Sequence, residues 1–319
     1  MEGLGGLEFL EENQSHRHLM PVRSLFTEKQ AQNTPTRVDW DQYTNLVTLY
    51  SSRNLTFEGE ALNAFLGVLH NLRRLWPSAY TLCGLPFFKL SDNRGPDPWS
   101  HIVFAAFSWH PTEREEMKRR PMFPSWSWLG WRGRVNFLYT DDASFSYTCT
   151  IREVEFEASA EEVIQLPTLS PWESPEYFDT FQSTLDTVIA IRFEAPVIPI
   201  NLVLEKDSDV TLTRPSKKDN DPRWRRFSVG GAAFDTESRP TAAVLENLVD
   251  NLHTGKWSCL LLGHDEDNMY GFRLMLIVQW KYDRQVAERV GAYGLHAKNT
   301  VEEDLGPVEE LEWRRVSLI

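Results

Sequence analysis

From Asp39 onward the apolar residues fall into helical spacing. Trp40, Tyr43, Val47 and Tyr50 recur three and four positions apart, with Leu46 beside them, which predicts an amphipathic helix broken by "SSRN". A second helix is expected from Thr56 as N-cap, with Glu58 and Glu60 in its first turn. Leu62, Phe65, Leu66, Leu69 and Leu72 form its buried stripe, and Arg73 and Arg74 stand at its end before Pro77. A third helix starts at Asp97–Pro98, because proline lacks only a donor that the first helical turn leaves unused. Pro111 marks its latest end. After Pro124 the pattern turns to β. Strands are expected at 126–129, 135–139, 147–156, 187–193, 198–204, 210–212, 257–263, 272–280, 289–295 and 313–318, many separated by turn-forming residues. One helix, 241–252, interrupts them, and 166–181 and 215–226 read as long loops. The expected class is α+β: an irregular lead-in over 1–36, a helical region over 37–122, and a mostly antiparallel β domain over 123–319.

Within this frame one stretch stands out. "RRPMFPSWSWLGWRGRV" places Trp126, Trp128 and Trp131 within six positions. As a strand it would put Trp126 and Trp128 on one face, with Ser125, Ser127 and Leu129 on the other. Gly130 and Gly133 would bend and turn the chain. Phe123, Leu129, Val135 and Phe137 surround the rings, which favours a packed corner between helices and sheet. The competing reading is an exposed aromatic platform for a carbohydrate or another ligand.

Composition changes the picture in two ways. A net charge of −13 opposes duplex nucleic-acid binding, where lysine and arginine must replace counterions. Three widely spaced cysteines, Cys83, Cys149 and Cys259, argue against a secreted disulfide framework. The N-terminus lacks the basic and apolar regions of a secretory signal, and the apolar run Leu274–Trp280 is too short to span a bilayer. A soluble, cytoplasmic protein is expected.

Candidate chemistry is sparse. "HDEDN", His264 to Asn268, lacks the glycine and distal acid of a calcium loop and reads as a solvated hairpin. His16 and His18 have no partner ligands nearby, and His101 and His110 do not share a helical face. The basic stretch Arg214–Phe227 carries Trp224 but is diluted by Asp219 and Asp221. No nucleophile elbow, Walker loop, dinucleotide fingerprint or zinc-protease motif occurs. No catalytic, metal or cofactor site is assigned.

The tryptophan stretch does resemble something. Phe123, Pro124, Ser125, Trp126, Ser127, Trp128, Gly130, Trp131, Gly133 and Val135 match the signature F-P-S-W-S-W-x-G-W-x-G-x-V that follows the incompatibility domain in fungal heterokaryon-incompatibility proteins. That family usually has a small residue where Leu129 stands. Upstream, Tyr50, Ser51, Arg53, Leu55 and Thr56 resemble its Y-S-x-R-x-L-T helix junction, and Arg119 and Arg120 fit as well. "AERVGAYGL", with Arg289 and Gly291, and the closing "WRRVSLI" resemble its final strands. The incompatibility domain's own signatures, A-L-S-Y-x-W-G and W-I-D-x-L-C-I-x-Q, are absent. The resemblance thus implies a C-terminal remainder without that domain, a non-catalytic regulatory or structural module. Its implied setting is self/non-self recognition and control of cell death, with protein partners of that pathway.

Overall fold

The computed structural model describes residues 40–75, 80–87, 98–111, 118–139, 147–158, 163–164, 175–198, 201–204, 210–213, 256–265, 272–281, 286–296 and 311–319. All of them belong to one unit, Thr36–Ile319. The expected lead-in, the helix at 241–252, the loop at 215–226, and His16 and His18 lie outside the described residues.

The fold is α+β. Helices α1 (Trp40–Ser51), α2 (Ala61–Leu75) and α3 (Pro98–Phe107) alternate with short pairings: hairpin β1 (Tyr80–Leu82) with β2 (Leu85–Phe87), then β3 (Trp109–Pro111) and β4 (Lys118–Arg119). Strands β5 (Trp131–Arg132) and β6 (Val135–Phe137) pair back onto β4 and β3. An eight-stranded sheet follows. It comprises β7 (Tyr147–Cys149), β8 (Arg152–Ala158), β9 (Val163–Ile164), β10 (Val188–Ile198), β13 (Trp257–Asp265), β14 (Phe272–Lys281), β15 (Val286–His296) and β16 (Glu312–Leu318). Their spatial order is β7-β13-β14-β15-β16-β10-β8-β9, antiparallel except for β15 beside β16. A short β10–β13 pairing also joins the five strands β13, β14, β15, β16 and β10 into a ring. Between β10 and β13 lie the separate hairpin strands β11 (Asn201–Leu204) and β12 (Val210–Thr213).

Helix α3 lies in the core of this unit. Trp99, Ser100 and Ile102 to Phe107 are buried and His101 is half-buried, so the helix carries hydrophobic residues nearly all round, as such a position requires. Phe107 meets Phe193 of β10, Phe104 meets Tyr139 and Tyr147, and Trp99 meets Phe156 of β8. β13 and β14 are buried continuously over Ser258–Gly263 and Leu274–Val278. One face of these strands carries Cys259, Leu261, Met275 and Ile277, clustered with Ile198. On the other face Val278 pairs directly with Arg289, and Gly263 lies against Phe104 of α3. Burial on both faces explains why these strands read as unbroken apolar runs rather than alternation.

Several expectations are corrected. Trp126–Leu129 is not a strand: it is a turn leading into a 3-10 turn, Trp128–Gly130, because Ser127 caps that turn through its side chain. Such local side-chain bonds compete with a ladder. Thr56 is not the cap of α2. A 3-10 turn, Glu58–Glu60, comes first and α2 begins at Ala61. Its buried stripe is Ala61, Phe65 and Leu69, spaced by four, while Leu66 is exposed. The loop expected at 166–181 ends in a helix, α4 (Pro175–Leu185), whose Phe181, Gln182 and Leu185 are buried. Its first residue is a proline, read as a loop signal where it serves as a helix start. The strands expected at 187–193 and 198–204 are instead the continuous β10 followed by β11. Pro196 is tolerated inside β10 because it falls between Glu194, the last residue paired to β8, and Val197, the first paired to β13. The expected strand 147–156 is split at Thr150–Ile151, where the chain leaves β13 for β10.

Phe107→Ala would remove the ring that joins the central helix to β10. It is expected to cost about 3–5 kcal/mol, read as a lower urea midpoint in equilibrium unfolding.

Candidate functional site

The tryptophan stretch lies where the helices meet the sheet. Trp126 is 0% exposed, Trp128 1% and Trp131 5%. The rings are inside the protein and do not share a strand face. Trp128 packs edge-on against Phe65 of α2 and Tyr50 of α1. Its indole N–H donates to the Gly84 carbonyl at 2.6 Å, which also accepts from the Tyr43 hydroxyl. The Trp131 indole donates to the Ser125 carbonyl at 2.9 Å. The Trp126 carbonyl in turn accepts from the Trp109 indole at 2.9 Å, and the Trp126 indole N–H has no partner among the described residues.

The two serines have separate tasks. The Ser127 hydroxyl donates to the Cys83 carbonyl at 2.6 Å and accepts from Leu129 N–H at 3.0 Å. It thereby ties the β1–β2 turn to the 3-10 turn. The Ser125 hydroxyl donates to the Ile319 carbonyl and accepts from Arg289 N–H at 2.9 Å, while Ser125 N–H also donates to Ile319. It thereby joins β15 to the end of β16. Both hydroxyls use a donor and an acceptor at once, which is close to what a buried hydroxyl offers.

Three arginines hold main-chain oxygens. Arg119 donates from Nη1 to the carbonyls of Arg120, Phe123 and Gly130. Buried Arg120 donates to Leu129 and Trp131 at 3.4 and 2.6 Å, and burial lowers its pKa despite the opposing pull of Glu58. Arg289, 1% exposed, donates to the carbonyls of Phe107, at 3.1 Å, and Trp109, and its guanidinium lies 3.4 Å over the Trp109 ring. Complete burial pulls the Arg289 pKa well below its ordinary value. Carbonyl dipoles and the ring's negative face supply the compensation that a buried cation needs.

The remaining residues of the pattern serve geometry. Pro124 accepts from Ser127 N–H at 3.3 Å, and Phe123 is half-buried beside it. A Cβ on Gly130 would fall on the Pro124 carbonyl oxygen and 2.9 Å from Arg119 Nη1, so only glycine fits there. Gly133 turns the chain between β5 and β6 at φ +133°. Gly291 sits opposite Ile277, and Val290, between it and Arg289, is the extra residue of a β-bulge that sets the face Arg289 points to. Arg53 lies apart from this junction: it is exposed and its backbone N–H donates to Tyr50.

Trp109 and Gly84 were not singled out by the sequence, and Tyr43 and Ser51 stood there only as a helix-stripe residue and as part of the helix-junction resemblance. Ser51 accepts from Val135 N–H at 3.0 Å and so anchors β6 to α1. A usable signal existed for Arg289: it shares strand parity with buried Ala287, which marks an inward charge. His264 and Asp265 are the last residues of β13, and the rest of "HDEDN" lies outside the described residues. Among the described residues no three His, Cys, Asp or Glu side chains converge, and no helix is long and apolar enough to cross a membrane. No family model matches the sequence, and no curated protein or solved structure is detectably similar to it.

Ser125→Ala would leave the buried Arg289 N–H without its acceptor and release one of the two bonds on Ile319. An expected loss of about 1–3 kcal/mol is measurable by urea unfolding, and an unchanged midpoint would contradict the role given to Ser125.

Proposed function

We propose that the chain is a non-catalytic regulatory or structural module of the kind that follows the incompatibility domain in fungal heterokaryon-incompatibility proteins. On this reading it acts in the cytoplasm, through protein contacts, in self/non-self recognition and the control of cell death. The observation that carries the proposal is how the signature side chains are used. Ser125, Ser127, Trp128 and Trp131 all make their polar contacts within the chain. Residues selected for such contacts specify a shape rather than a reaction, which fits a module that presents or restrains a partner.

A carbohydrate platform built on these tryptophans finds no support, because stacking needs an accessible ring face and all three rings are buried. The difference in emission between the wild-type chain and Trp126→Phe is therefore expected to be blue-shifted, resistant to acrylamide and unchanged by glycans. A red, quenchable difference that responds to a glycan would favour the platform instead.

The functional test is co-expression in fungal cells with a protein that carries an incompatibility domain. The chain alone should leave growth unchanged and should shift the death response of the domain-bearing protein. Turnover of a nucleotide or glycoside by the purified chain would overturn the non-catalytic reading.

A further inference from the structure

We draw no further inference here: the strongest candidate, the basic surface patch in which Lys118 of β4 stands across from Arg132 of β5, carries nothing, because Glu58 and Asn54 already hold Arg132 and the acidic residues Glu113, Glu115 and Glu116 just before Lys118 lie outside the described residues.

Discussion

A buried guanidinium with no carboxylate partner among the described residues is the constraint on which this fold turns. Arg289 can remain inside only if other groups stabilise its charge, and the groups that do so come from distant parts of the chain. The carbonyls of Phe107 and Trp109 arrive from the end of α3 and the start of β3, and the Trp109 ring covers the cation. Moving any of these would leave a bare charge in a low-dielectric interior, at a cost of several kcal/mol. The arrangement therefore fixes the register between α3 and β15 more tightly than apolar contact could, since apolar contact tolerates sliding and hydrogen bonds to a planar fork do not.

The tryptophan stretch extends the same logic outward. Between Ser125 and Gly130 its main chain forms no ladder, because Ser127 and Gly130 curl it into a 3-10 turn. Its carbonyls would then be orphaned in a buried place. Arg119 and Arg120 take four of the carbonyls on and around this turn, and the indoles of Trp109 and Trp131 take two more. Indole suits this position because it couples a large apolar body to one donor, and each donor here meets a main-chain oxygen except that of Trp126. Serine suits it because one hydroxyl can satisfy two strangers at once.

Much of this was legible in the sequence and some was not, for physical reasons. Helices α1 and α3 follow from spacing and from the Asp97–Pro98 start, and the apolar runs of β13 and β14 announce doubly buried strands. The tryptophan stretch was legible as a place but not as a conformation. Alternating large and small residues read as a strand, yet serine side chains bonding their own backbone override that period. Helix α4 was hidden because prolines signal both loops and helix starts. Burial of Arg289 and Arg120 was hidden for a deeper reason: arginine's prior is the surface, and only strand parity with Ala287 hinted otherwise.

The outward side of the sheet makes the contrast that bears on function. There Arg152 pairs with Glu194, Arg192 with Glu157, and Arg315 with Glu153 and Glu155, pairs at or near the surface that contribute little to stability. Inside, every arginine of the junction is matched to carbonyls, where a lysine's compact ammonium could not span two oxygens held by different elements. A chain that spends its specific polar chemistry on its interior and its charge pairs on a solvated face has invested in one defined shape. In such a molecule, function follows from what that shape holds apart or brings together, and any signal that reaches the Arg289 junction reaches the helices and the sheet at once.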